Sequence, residues 1–248
     1  MIDKIKVVVH VHTWASADSL SAPSSIVDYC RRNGIGAIAI TDHNEIWGAE
    51  EVSELSNGNP LVIIGEEIAS RDGEVIGLFL SRKIEKGLEL EDTIAEIRKQ
   101  GGIVYLPHPG ETFRKTAIKK NRVLEVMPEV DILEVHNSRT VMQSDNRWAY
   151  NLAIKHNKGM LVGCDAHFVK DISRAVNYLQ QFSDKDSFLK SVATSSVETA
   201  VLQSTGLGVQ LFSKFVKIAK KRVKRLRREP NRQSLLEVSE NQQRRIDS

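Results

Sequence analysis

The sequence predicts an α/β domain of parallel strands joined by helical crossovers, followed by a basic helical tail. Three observations predict it. Short apolar, β-branched runs alternate with helix-like segments through most of the chain, the pattern of βα units. At 248 residues, 41% hydrophobic and 27% charged, the chain can bury one full-sized core of ordinary composition. Charge is divided: residues 214–248 hold 12 Lys and Arg against 4 Asp and Glu, whereas the first 213 hold 23 against 28. An acidic body and a basic tail therefore call for separate explanations.

The elements follow in order. Ile5–His12 is β-branched and apolar, a strand that ends in polar residues. Pro23, whose fixed φ suits a first helical turn, opens a helix that runs to Asn33 and stops at Gly34. Ala37–Thr41 is a short strand, and a helix over Ala49–Leu55 stops at Asn57-Gly58. Leu61–Ile64 and Glu74–Leu80 read as strands, and Leu90–Gln100 as a helix ended by Gly101-Gly102. Strands Ile103–Leu106 and Ile132–Val135, helix Asp145–His156, strand Met160–Gly163 and helix Lys185–Ala193 complete the body. Six or seven strands fit either a barrel or an open doubly wound sheet, which periodicity does not separate.

Several classes are excluded. No run of about 18 apolar residues is present, so no membrane span is expected. The N-terminal segment enters a strand pattern at once without a small-residue cleavage site, so no signal peptide is expected. Cys30 and Cys164 form neither a disulfide framework nor a CxxC metal site, and a reducing cytoplasm is the expected compartment. Both cysteines read as packing residues.

The chemistry lies in the histidines. His10 and His12 end the first strand, His43 the second, and His108, His136 and His167 follow three more; only His156, inside a polar helix, stands apart. Loops at the carboxyl ends of parallel strands converge, so these six imidazoles are expected to meet. A lone histidine at a strand end is usually structural, but six crowded together leave unpaired lone pairs unless a cation sits among them. Asp18, in the loop after His12, Glu66 or Glu67 at the end of the third strand, and Asp165 add oxygen ligands. Such a nitrogen and oxygen set suits zinc, manganese or iron, and nine ligands imply two or three divalent ions.

His10-Val11-His12, Thr41-Asp42-His43-Asn44, Gly65-Glu66-Glu67, Pro107-His108-Pro109, Glu134-Val135-His136-Asn137 and Cys164-Asp165-Ala166-His167 resemble, in order, the motifs of the PHP (polymerase and histidinol phosphatase) family. The resemblance covers roughly residues 5–170, which makes it far more specific than one short pattern. It implies a distorted (β/α)7 barrel and a trinuclear metal phosphoesterase. By position, it implies one ion held by His10, His12, Glu67 and Asp165, and a second by bridging Glu67 with His108 and His136. A third falls to Asp18, His43 and His167. Glu67 fits the family's Gly-x-Glu spacing better than Glu66, and alternation points the two to opposite faces. Ala17-Asp18-Ser19 stands where many members have Ser-Asp-Gly, so the ligand survives while its loop departs.

The expected reaction is hydrolysis of a phosphate ester, on a small phosphorylated metabolite or a nucleotide, by a hydroxide shared between ions. Asp165, His167 and Asp42 are the candidate catalytic residues, Asp42 by orienting His43 or relaying a proton. Arg139 and Arg114 are candidate substrate clamps, beside Lys115. An exonuclease acting on short oligonucleotides is the enzymatic alternative, and a metal-stabilised regulatory or structural module the non-catalytic one. About 40 residues between Glu67 and His108 leave no room for an inserted substrate domain.

The expected organisation is a catalytic domain over 1–205, a basic amphipathic helix over 206–229 and a disordered tail over 230–248. Val209, Phe212, Val216, Ala219, Val223 and Leu226 recur at spacings of three and four, forming an apolar stripe among lysines and arginines. Such a helix can pack on the body, lie on an anionic surface or contact nucleic acid phosphates. Neither its place relative to the histidines nor an oligomeric state is legible.

Overall fold

Valines 7, 8, 9 and 11 are all fully buried, so the first strand is covered on both faces, as a central strand between two apolar layers must be. The computed structural model describes residues 4–195, 201–202, 213 and 216–222. In chain order they form β1 (Lys4–Val11), α1 (Pro23–Asn33), β2 (Ile35–His43), α2 (Trp47–Ser56), β3 (Leu61–Ala69), β4 (Glu74–Leu78), α3 (Leu90–Lys99), β5 (Ile103–Leu106) and α4 (Lys120–Val126). Then come β6 (Ile132–Asn137), α5 (Gln143–Lys155), β7 (Gly159–Gly163), β8 (Ala175–Gln180), α6 (Lys185–Ala193) and β9 (Val201–Leu202). The sheet runs β7-β6-β5-β4-β3-β2-β1-β8-β9.

The barrel implied by the resemblance is the observed fold, nearly closed, with two reversals. β1, β2, β3, β5, β6 and β7 point one way, whereas β4 and β8 are antiparallel to their neighbours. The expectation of uniformly parallel strands is thus corrected. Only residues 70–73 separate β3 from β4, too few for a crossover, so the chain turns back as a hairpin. β8 and the short helix α4 are elements the sequence pattern did not reveal.

Closure occurs between β7 and β1. Below the rim, Asn177 of β8 bridges them: its side chain accepts from Val162 N at 2.9 Å and donates to Val162 O at 2.9 Å and Val7 O at 3.3 Å. At the rim the main chains join directly, through Cys164 N to Val9 O, Ala166 N to His10 O and His12 N to Ala166 O.

Two cores result. Inward residues Val7, Val9, Ala37, Ala39, Ile63, Ile76, Leu78, Ile103, Tyr105, Ile132 and Leu161 fill the barrel, and Phe182 with Phe188 and Val192 of α6 plug its lower end. Outward residues such as Val8, Val11, Ile38, Ile40, Val104 and Leu133 pack against the helices. All catalytic candidates lie at the other end of the barrel, at the carboxyl ends of the parallel strands.

Residues 213 and 216–222 are helical, with Ser213 and Val216 buried. Val209, Phe212, Val223 and Leu226 of the expected stripe, and the expected disordered segment 230–248, lie outside the described residues. Among those described, no helix is long and apolar enough to cross a membrane.

Replacing Asn177 by Leu keeps the side-chain volume but strips the seam of its bridge. Unfolding in urea is expected to show a loss of roughly 2–4 kcal/mol, the cost of buried peptide groups left unpaired. An unchanged midpoint would remove Asn177 from barrel closure.

Candidate metal centre

Strand alternation decides which side chains enter the barrel mouth. In β1, Val7 and Val9 face inward and Val8 outward, yet Val11 also faces outward. The phase has inverted at His10, which has φ 64° and lies where pairing with β2 slips between Val8 and Val11. This bulge turns His10 and His12 into the interior; without it both would point at the helices. In β2, Ala37 and Ala39 set His43 inward and Asp42 outward, and in β3 Ile63 sets Glu67 inward and Glu66 outward. His43 and Glu67 are register partners. His108 (φ 31°) and Asp165 (φ 48°) also take left-handed backbone that costs roughly 1–3 kcal/mol per residue.

Glu67 is the hub. Its Oε2 lies 3.0 Å from His43 Nδ1, 3.4 Å from His10 Nε2 and 3.5 Å from His12 Nε2, and its Oε1 lies 3.0 Å from His108 Nε2. Asp165 Oδ1 stands 3.5 Å from His12 Nε2, 3.8 Å from His10 Nε2 and 3.4 Å from His167 Nδ1. Asp18 Oδ1 is 3.5 Å from His167 Nε2 and 3.7 Å from His43 Nε2. Four groups have ligand atoms within 4.8 Å of one another: His12 with His43 and His167; His10 with His12 and Glu67; His10 with His108 and Asp165; His43 with Glu67 and Glu74.

These residues fit divalent ions. Buried atoms without a hydrogen-bond partner include Nε2 of His10, His12 and His136, Nδ1 of His108, Oδ1 of Asp18 and Asp165, and Oε2 of Glu67 and Glu74. Ligands about 2.1 Å from one ion stand about 3.4 Å apart on a tetrahedron, close to the separations found here. Isolated lone pairs buried this way are costly, and a cation removes the cost.

The electrostatics agree. Burial opposes charge on Glu67, yet His10 and His43 hold its carboxyl well below the usual range. Burial likewise opposes charge on Asp165, which Arg114, His10 and Arg139 hold ionised. Burial works against protonated His10 and His43, but Glu134, Glu67 and Asp165 lift the first, and Glu67 and Asp18 lift the second to about 10. Burial lowers His12, helped by His167 and His43, and burial also lowers His167 and His136. The carboxylates that hold His10 and His43 up would equally draw cations into the same place.

Three expected residues stand apart from these four groups: His136, Asp42 and Asp18, whose Oδ1 faces His167 and His43 from the rim. His136 ends β6 beyond a register slip, its Nδ1 3.2 Å from the Asn146 amide, and it joins none of the four groups. Glu74, first residue of antiparallel β4, approaches His43 Nδ1 and His108 Nε2, each at 3.7 Å. Asp42 does not orient the His43 ring. Facing outward, it accepts from Thr13 N at 2.7 Å, Thr13 Oγ1 at 2.7 Å and Ser16 Oγ at 2.6 Å, pinning the loop after β1. A Cβ on Gly48 would lie 2.3 Å from Asp42 Oδ2, so this clamp needs glycine there. Glu66 accepts from Ile84 N at 2.8 Å, and burial raises its carboxyl to about 7. Cys164 and Cys30 are buried in the outer core, as expected.

Glu134 lies in one of the motifs but had no role in the sequence reading. Fully buried and inward, it accepts from His10 Nδ1 and Tyr105 Oη at 2.8 Å each, His108 N at 2.6 Å and Asn137 Nδ2 at 2.8 Å. Holding the proton on His10 Nδ1 leaves Nε2 free to face the cluster. A Cβ on Gly163 would come within 1.6 Å of Glu134 Oε1, so only glycine leaves room for it. Its position two residues after inward-facing Ile132 on one strand was the signal for its inward direction.

A cavity of about 480 Å³ opens above Asp18, His43, Glu74 and His167. Arg114, Lys115, Arg139 and Lys217 also line it. Arg114 Nη2 donates to Asp165 Oδ2 at 2.8 Å and its Nε to Glu111 at 2.9 Å. Arg139 meets His167 Nδ1 at 2.6 Å and Ser213 Oγ at 2.7 Å. Ser19, at the departure from the family motif, is fully buried and its hydroxyl is 2.8 Å from His12 O and 3.0 Å from His167 O. That tie stiffens the Asp18 loop in a way glycine does not.

Comparison with known proteins agrees with this geometry. The PHP domain profile matches residues 9–201. An uncharacterized protein of Methanocaldococcus jannaschii is 36% identical over 174 residues, 69% of each chain. Among solved structures, a two-domain protein of Bacteroides vulgatus containing a predicted PHP-like metal-dependent phosphoesterase superposes with a TM-score of 0.59 at 20% identity. The match covers 72% of this chain and 59% of that one. A proposed metal-dependent phosphoesterase of Bifidobacterium adolescentis has a TM-score of 0.57 at 15% identity, over 77% of this chain and 96% of its own.

Glu134→Gln keeps the shape of the side chain and removes its charge. Titration with Mn²⁺ is expected to show affinity lower by about 10–100-fold, with the far-ultraviolet spectrum unchanged. A wild-type isotherm would deny Glu134 its orienting role. Gly163→Ala, which crowds the same carboxylate, is expected to shift the isotherm in the same direction.

Proposed function

We propose, from the premise that this chain belongs to the PHP family, that it hydrolyses the phosphate ester of a small phosphorylated metabolite or nucleotide. One observation carries this reading: the buried, unpartnered ligand atoms of His10, His12, Asp18, Glu67, Glu74 and Asp165 gather beneath a cavity that Arg114, Lys115 and Arg139 also line. His10, His12, Glu67 and Asp165 would hold one ion, and Glu67 with His108 and His136 a second, with Glu74 at hand. Asp18, His43 and His167 would hold the third. Divalent ions bound there supply Lewis acidity, which activates water near neutral pH and neutralises phosphoryl charge.

The chain's own groups do the rest. Arg114 and Arg139 would orient the phosphoryl oxygens, since a guanidinium offers several donors in one plane. Asp165 is kept ionised beside Arg114 and His167 neutral by burial, the states each needs to hold a cation or to take a proton. Glu134 and Ser16 orient His10 and His12 from behind, with Ser16 Oγ 3.3 Å from His12 Nδ1. An exonuclease acting on short oligonucleotides is the second reading, supported by Lys217 of the basic helix at the cavity wall. A non-catalytic role would require none of this rim of cations.

Asp165→Asn and His108→Glu are expected to lower turnover by at least ~100-fold, as loss of a principal electrostatic group does. The assay is a panel of nucleotides, sugar phosphates and short oligonucleotides with Mn²⁺, with circular dichroism as the control on folding. Full activity in both variants would sink the assignment. Bound metal without turnover on any ester would favour the structural role.

A further inference from the structure

The described residues of the basic tail helix meet the barrel mouth at Arg139, through Ser213, and at the loop carrying Asp18. Ser213 and Val216 are buried on the face turned to the barrel, while Lys221 and Arg222 are exposed. Lys220, seven residues after Ser213 and so on the same face, sends its ammonium to three peptide carbonyls. They are Trp14 O at 3.1 Å, Ser16 O at 3.1 Å and Ser19 O at 2.6 Å. An ammonium has three N–H donors and no acceptor, so these carbonyls use all of it. Three carbonyl dipoles aimed at one point repel one another unless a cation sits between them. Lys217, one turn earlier, lies 3.5 Å from Asp18 Oδ2.

Asp18 sits between the anchored carbonyls of Ser16 and Ser19, with Oδ1 buried, unpartnered and facing His43 and His167. From the barrel side the loop is tied by the Ser16 and Ser19 hydroxyls. From the solvent side Lys220 ties it.

We infer that Lys220 is a positioning residue: by gathering the Trp14, Ser16 and Ser19 carbonyls it sets the loop so that Asp18 can complete the outermost cation site. The helix then belongs to the active site rather than to a separate anion-binding tail. This rests on the metal-binding reading above and adds a residue that no motif of the first 170 positions contains. A helix lifted from the barrel would weaken the outer site and leave the inner sites around Glu67 intact.

The test compares full-length wild type, Lys220→Met, which keeps the stem and loses the ammonium, and Lys221→Met as the exposed control. In calorimetric titration with Mn²⁺, Lys220→Met is expected to weaken the weakest binding step about tenfold, as loss of an outer-shell partner does. The tighter steps and the urea midpoint should hold, which a merely structural role would not allow. On an Asp18→Asn background the same substitution should change nothing further, because both act on one site. A wild-type isotherm in Lys220→Met, or equal weakening of every step, overturns the inference. Should the wild type take up no Mn²⁺, the metal reading fails separately, and amide exchange of metal-free protein decides the role of Lys220. Loss of protection over residues 14–20 in Lys220→Met but not Lys221→Met supports the anchor; equal exchange in all three overturns it.

Discussion

Everything at the barrel mouth answers to one constraint: lone pairs of like kind are gathered where water does not reach. Around Glu67, four imidazole nitrogens lie within 3.5 Å of its two oxygens. Such a cluster is stable only if positive charge is shared through it, as protons or as metal ions. Burial alone would drive every one of these groups toward neutrality. The opposite shifts at Glu67 and Asp165 on one side and His10 and His43 on the other show the charges settling each other in place.

The backbone yields to this constraint. His10, His108 and Asp165 adopt left-handed conformations that their side chains disfavour, and each lies where a strand hands over to its loop. The surroundings over-determine them: Glu134 holds both the His10 ring and the His108 amide, while the main chain at Ala166 grips His10 and His12. Gly163 and Gly48 serve the same end by being small where carboxylates must pass.

Much of this was legible in the residues themselves. Six histidines at strand ends and the order of motifs announced both the barrel and the cluster, and simple alternation separated Glu67 from Glu66. Less legible was whatever broke alternation. The inversion at His10 leaves no trace in a run of valines, and without it the same histidines would face the helices. Asp42 follows alternation faithfully, but its partners Thr13 and Ser16 belong to a loop with no periodicity to read. Glu74 was hidden by the assumption of parallel strands, since only a reversed β4 begins at the metal end of the barrel. β8 carries its decisive residue, Asn177, as a polar interruption in a short apolar run, which weakens the strand signal it belongs to. The tail's chemistry is visible as charge, but its placement depends on three carbonyls that carry no side-chain signature.

The seam between β1 and β7 has a consequence for how the protein comes into being. The centre takes ligands from both sides of that seam, and its closing contacts join residues as far apart as Cys164 and Val9, a separation of 155. Contacts of such sequence distance carry a larger loop-closure cost than local ones. His10, His12, His43 and Glu67 lie on one side of the seam and Asp165 and His167 on the other, so the cluster is assembled only when β7 meets β1. Barrel closure and assembly of the cluster are therefore one event, and Asn177 serves both.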